Sequence, residues 1–126
     1  MSGEKQKVLI VDDEYSFCKN LKTFLVKEGF DVQMTTNGEQ ALDMIRDEKP
    51  DLMTLDIRMP GMNGYEVLEK LRFDAKDLAV IVVSAIDIPD MEDRLMHAGA
   101  KAVVHKPVDL KLLLDTIKKI AAEKRE

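Results

Sequence analysis

Cysteine is almost missing from this chain: Cys18 is the only one in 126 residues, so no internal disulfide can form and a reducing compartment suits it. Long apolar runs are missing as well. None approaches the roughly 20 residues that a bilayer span needs, and Met1-Ser2-Gly3-Glu4-Lys5 lacks the apolar centre of a secretion signal. These absences predict a soluble, cytoplasmic protein with no membrane partner. No stretch rich in glycine, proline or serine divides the chain, which predicts a single domain over residues 1–126, with its core at 7–120 and short polar tails. A chain of this size buries roughly two thirds of its unfolded surface, enough for a core without staples. Basic residues do not gather either. The net charge is -5, and the one cluster, Lys118, Lys119, Lys124 and Arg125, alternates with acidic and apolar residues. That pattern reads as the solvated side of a last helix and argues against direct nucleic-acid binding.

What the chain does have is a fivefold alternation of short apolar runs with stretches of helical periodicity. The runs at residues 7–11, 31–35, 51–56, 79–84 and 102–105 predict strands. Ala79-Val80-Ile81-Val82-Val83 shows no polar alternation, as expected of a parallel strand covered on both faces. A first helix is predicted over residues 15–28, stopped by Gly29. Asn37 with Gln40, and Asn63 with Glu66, have capping-box spacing and open the second and third helices. The fourth should begin at residues 87–90, with Pro89 in its first turn, and end at Gly99. Leu110, Leu113, Leu114, Ile117, Ile120 and Ala121 form one apolar stripe on the fifth, a core face. Right-handed crossovers then give an α/β fold: a doubly wound, flavodoxin-like parallel sheet of five strands, order 2-1-3-4-5, with helices on both faces.

Chemistry gathers where the strands end. Asp12 and Asp13 follow the first run, Asp56 the third and Lys106 the fifth, while Ser84 closes the fourth. Carboxyl ends of parallel strands form the ligand crevice of such a sheet, so these positions converge. Three carboxylates call for a hard cation such as Mg²⁺, and a lysine opposite them suits phosphate oxygens. Phosphoryl transfer is the predicted chemistry. Asp56 leads into Ile57-Arg58-Met59-Pro60-Gly61-Met62-Asn63-Gly64, whose proline and glycines fix the path of the loop. Pro107 restricts Lys106 to extended geometry.

These motifs resemble the receiver domain of two-component response regulators, from Lys7 to about Ile120: Val8-Leu9-Ile10-Val11-Asp12-Asp13-Glu14, the loop from Asp56 to Gly64, Ser84-Ala85, Gly99-Ala100 and Lys106-Pro107. The resemblance implies that Asp56 accepts a phosphoryl group from the phosphohistidine of a sensor histidine kinase or a histidine phosphotransfer protein. It implies Mg²⁺ held by Asp13, Asp56 and the main-chain carbonyl of Arg58, with Asp12 acting through water. Lys106 and Ser84 would hold phosphoryl oxygens, and Arg58 and Ile86 would tune the lifetime of the adduct. Arg58 could pair with the phosphate or an attacking water and Ile86 could exclude water; the sequence does not decide between them, and slow decay is the expectation. The domain would be no enzyme beyond assisting its own phosphorylation and hydrolysis. It would signal through a conformational change to a downstream protein, as a monomer or a weak phosphorylation-dependent dimer.

Two positions depart from the family pattern. Val103 stands where most receivers carry a Tyr or Phe, three residues before the lysine, and Val108 replaces a common aromatic after Lys-Pro. Without a ring to reorient, switching would fall to the loop 85–89 and to Met91 and Leu95 in the fourth helix. His97 and His105 lack metal-binding neighbours and read as surface residues. Three other readings stay open: a degenerate or constitutive receiver that only binds, a Mg²⁺-dependent phosphatase with an aspartyl nucleophile, and a flavin carrier. The phosphatase would place an acid two residues after the nucleophile, where Arg58 stands, and acid at Asp12-Asp13-Glu14 repels a flavin phosphate.

Overall fold

Four consecutive apolar side chains, Val8 to Val11, are all buried, which requires a strand covered on both faces. In the computed structural model, which describes residues 5–59, 64–75, 77–85 and 89–125, that strand is β1 (Lys7–Val11). It is followed by α1 (Tyr15–Lys27), β2 (Asp31–Thr35), α2 (Gly38–Glu48), β3 (Leu52–Leu55), α3 (Gly64–Asp74), β4 (Ala79–Ser84), α4 (Met91–His97), β5 (Ala102–His105) and α5 (Leu110–Arg125). All neighbouring strands pair in parallel, in the expected order β2-β1-β3-β4-β5.

Strand alternation divides the core in two. Val8, Ile10, Leu52, Ala79, Ile81 and Val83 pack with Leu21 and Leu25 of α1 and with Leu113 and Ile117 of α5. Leu9, Val11, Met53, Leu55, Val80 and Val82 pack with Ile45 of α2, Val67 and Leu71 of α3, and Leu95 of α4. The stripe of α5 faces the sheet as its spacing demands, with Leu113, Leu114, Ile117, Ile120 and Ala121 buried. Among the described residues, no helix is long and apolar enough to cross a membrane.

Boundaries differ from the sequence expectation where local chemistry intervenes. Strand β3 is shorter than residues 51–56 because Asp51 and Asp56 lie just outside its ladder. Helix α4 begins at Met91 and not earlier, since Asp90 takes a left-handed conformation (φ 70°) that helix cannot continue through, leaving Pro89 in the preceding turn. Only half of the first capping box forms. Asn37 accepts from the Gln40 backbone N–H, but the Gln40 side chain accepts from the Thr35 hydroxyl instead of returning to Asn37. Gly29 and Gly99 end α1 and α4 at φ 97° and 115°, where only glycine is unstrained. Asn63, Asp87 and Ile88 lie outside the described residues, as does Ile86.

Candidate functional site

Three strands deliver the acidic and basic groups to one end of the sheet. Asp12 and Asp13 follow β1, Asp56 follows β3 beside it, and Lys106 follows the edge strand β5. The backbone N–H of Asp56 donates to the Val11 carbonyl at 2.9 Å, so the ladder itself sets the spacing between the two acidic positions. One carboxylate oxygen from each of Asp12, Asp13 and Asp56 lies within 4.8 Å of the others. Asp12 and Asp56 are buried, at 1% and 4% exposure, while Asp13 faces solvent. This grouping opens into a cleft of about 830 Å³ lined by Asp13, Asp56, Arg58, Tyr65, Met91 and Lys106, among others.

Gly64 fixes the loop after Asp56 by close approach. A Cβ at this position would sit 2.2 Å from the Asp56 carbonyl oxygen, and the Gly64 N–H donates to the Ile57 carbonyl at 2.9 Å. Gly64 therefore lies directly against the acceptor candidate's own backbone. Arg58 donates its backbone N–H to Asp56 Oδ1 at 3.1 Å, and its side chain is exposed at the rim of the cleft.

Electrostatics follow from burial. Desolvation pushes the Asp56 carboxyl up to about 6, the neighbouring Asp12 and Asp13 push the same way, and the Arg58 N–H and Lys106 oppose them. Burial likewise raises Asp12, against the pull of Lys106. For Lys106, burial lowers the pKa, but the close side-chain contacts to Asp12 and Glu14, with the charges of Asp12 and Asp56, outweigh it, so the net shift is upward. Its ammonium stands 2.8 Å from Asp12 Oδ2, 2.6 Å from Glu14 Oε1 and 3.7 Å from Asp56 Oδ2. The buried Asp12 Oδ2 is thus held by the Lys106 ammonium as an ion pair. Three carboxylate oxygens gathered within 4.8 Å, two of them on buried residues and with one lysine ammonium among them, fit a hard cation, because such ions take oxygen ligands.

Ser84 is buried at the end of β4, paired in register with His105, and its carbonyl accepts from the Lys106 N–H at 2.9 Å. The serine and the lysine thus sit on adjacent strand ends. Val103 lies opposite Val82, half-buried against the cluster that contains Leu95 and Met91. The two histidines are exposed, as expected. Cys18 is fully buried, its thiol donating to the Asp12 carbonyl at 3.2 Å, and burial pushes its pKa up to about 11, which suits packing and not reactivity.

Two contributors escaped the sequence reading. Glu14 pairs with Lys106 from the start of α1, and the Phe17 ring lies 4.9 Å from the same ammonium. Glu14 stands directly after the acidic pair, which was the available signal; Phe17 reads as core from its spacing alone.

Comparison with known proteins agrees with this geometry. The family model described as the response regulator receiver domain matches residues 8–118. Sporulation initiation phosphotransferase F of Bacillus subtilis is 37% identical over 114 residues, covering 90% of this chain and 92% of that protein. Several relatives named as transcriptional regulators are longer, and the chain spans 28% to 49% of their length. Among solved structures, a CheY-like receiver domain protein from Methanospirillum hungatei superposes with a TM-score of 0.93 at 30% identity, covering 97% of this chain and 98% of that one. A chain of the CheX-CheY-BeF3-Mg²⁺ complex of Borrelia burgdorferi gives 0.89 at 31% identity, covering 94% of this chain and 91% of that one. With two buried carboxylates, an exposed third and a lysine at its strand ends, and with this family match over most of its length, the chain belongs to the response regulator receiver domains.

Proposed function

We propose that the chain is a single phosphorylatable receiver unit in which Asp56 accepts a phosphoryl group from the phosphohistidine of a histidine kinase or phosphotransfer protein. The observation that carries this reading is the convergence of Asp12, Asp13 and Asp56 within 4.8 Å, with Lys106 Nζ 3.7 Å from Asp56 Oδ2. An Asp56 carboxylate oxygen attacks phosphorus, the P–N bond breaks, and the departing imidazole nitrogen takes a proton from solvent. Asp13, Asp56 and the Arg58 carbonyl would hold Mg²⁺, with Asp12 acting through water. The bound ion would supply the positive charge that lets an anionic nucleophile approach an anionic phosphoryl group. Lys106 and the Ser84 hydroxyl then hold the phosphoryl oxygens, and Arg58 at the rim meets an attacking water or the phosphate. Movement of Ser84 toward the phosphoryl group carries the signal into residues 85–98, since a ligand shifts a conformational equilibrium only through contacts that differ between its states.

Intact mass after incubation with acetyl phosphate tests the reading. A Mg²⁺-dependent, hydrolysable adduct in the wild type that is lost in Asp56→Asn supports it. No adduct together with no Mg²⁺ binding overturns it in favour of a receiver that only binds. A second reading draws support from the near full-length similarity to a relative named a phosphotransferase: the phosphoryl group passes onward to another histidine. Loss of the adduct on mixing with a histidine phosphotransfer protein, faster than its spontaneous decay, distinguishes relay from terminal signalling.

A further inference from the structure

Lys106 has more partners than its proposed task requires. Its ammonium stands 2.6 Å from Glu14 and 2.8 Å from the buried Asp12, whereas Asp56, the group it would serve, is 3.7 Å away. The Phe17 ring stands 4.9 Å from the ammonium. Glu14 and Phe17 both belong to the start of α1, so that segment adds two contacts on the solvent side to the buried Asp12 pair, and of the two carboxylates only Glu14 is exposed.

The use made of Glu14 is itself unusual. It occupies the N-cap position of α1, where a side chain ordinarily accepts from the first turn, yet it makes no side-chain capping hydrogen bond. Its carboxylate points instead to a lysine 92 positions away in sequence. Glu14 is also 62% exposed on its side chain, while Lys106 is 13% exposed, so the acid can leave into water but the lysine cannot. The backbone below is fixed, because the Glu14 N–H donates to Asp12 Oδ1 at 2.9 Å. The pair is therefore a fixed cation met by a releasable anion.

We propose that Glu14 is a positioning residue that parks Lys106 away from Asp56 in the unphosphorylated protein and competes with the phosphoryl oxygens for it. The Phe17 ring supports the parked position. This inference rests on Asp56 being the acceptor. Phosphoryl uptake then includes an exchange: the lysine gives up the Glu14 carboxylate and takes a phosphoryl oxygen, and Glu14 becomes solvated. Removing the competitor strengthens binding of a phosphoryl mimic. Because exposed ion pairs are individually weak, the expected gain is about two- to fivefold.

The test is beryllofluoride titration with Mg²⁺, read by fluorine NMR, alongside the nitrogen chemical shift of the Lys106 ammonium. Wild type, Glu14→Gln, Glu14→Asp and Phe17→Leu are compared. Glu14→Gln is expected to tighten beryllofluoride binding about two- to fivefold and to shift the Lys106 resonance before any ligand is added. Glu14→Asp keeps the charge but shortens the reach, so it should behave like Glu14→Gln if contact matters. Phe17→Leu is expected to give a smaller tightening. Glu14→Asp matching wild type while Glu14→Gln binds tighter would make the effect one of charge alone and overturn parking. An unmoved Lys106 resonance in Glu14→Gln overturns it too. A wild type that takes up no beryllofluoride and forms no Asp56 adduct brings down the acceptor reading and this inference together, whereas normal uptake with unchanged variants brings down this inference alone.

Discussion

Helices α4 and α5 occupy equivalent places in the chain, each following a strand whose carboxyl end brings a residue to the candidate site, yet they are held very differently. Helix α5 has 16 residues and buries Leu113, Leu114, Ile117, Ile120 and Ala121 against the sheet. Its start is capped by Asp109, whose Oδ1 accepts from the Lys111 and Leu112 N–H groups at 2.9 and 3.3 Å. Helix α4 has seven residues, of which Leu95 alone is buried, and its N-cap Asp90 is left-handed without a side-chain cap. The strand that leads to Lys106 is thus followed by an anchor, and the one that ends in Ser84 by a helix with one buried residue. Local opening is drawn from segments with few buried contacts, so a push on Ser84 meets less resistance than a push on Lys106. That asymmetry suits a receiver whose β5 carries Val103 and no ring to turn.

The sharpest way to break the contrast is to cut into both helices. Leu113→Ala should cost about 2–5 kcal/mol in urea unfolding, since a fully buried leucine leaves a cavity. Leu95→Ala should cost less, under about 2 kcal/mol, because α4 can detach without the rest and the loss appears as faster amide exchange in residues 91–98. Equal losses in global stability would mean that α4 is as integral as α5.

The site between them contributes next. Asp56 has a folded pKa of about 6, above the ordinary 3.8, so the folded state holds a proton that the unfolded chain has released between these values. Stability from this group is fully present below about pH 4 and is lost as pH rises through 6. Asp56→Asn should therefore stabilise the metal-free protein at pH 7.5 by about 1–3 kcal/mol and flatten this part of its stability profile. A variant with an unchanged slope between pH 4 and 7 would assign the strain to Asp12 instead.

Smaller effects separate the helix starts. Asp109→Ala should cost about 0.5–2 kcal/mol through loss of the α5 cap. Asp90→Gly should stabilise by up to about 1 kcal/mol by relieving a left-handed residue, since no side-chain cap is forfeited. Thermal melts read both, and a destabilised Asp90→Gly would show that the aspartate has a role its conformation does not reveal.

Most of the fold was legible because parallel strands covered on both faces announce themselves as unbroken apolar runs, as at residues 79–83. The α5 stripe was legible for the same reason at helical period. Less was visible at α4, where Pro89 looked like a first-turn residue but the left-handed Asp90 came between it and the helix. Backbone handedness at a non-glycine residue leaves little mark in sequence. The grouping of Asp12, Asp13, Asp56 and Lys106 followed from strand ends, which topology brings together. What side chains do once gathered did not follow: Gln40 bonding Thr35, or Glu14 reaching Lys106, depends on competition among nearby partners that spacing does not rank.

Cys18 gives the protein a clock. Its thiol lies under Asp12 at 0% exposure with a pKa near 11, so a thiol-directed label at neutral pH finds almost no thiolate and no path to it. Unfolding removes both obstacles together. Because this is the chain's single cysteine, the rate at which one label attaches counts the openings that expose the sheet beneath the site, and the same quiet thiol leaves any cysteine introduced on the surface free to be labelled alone.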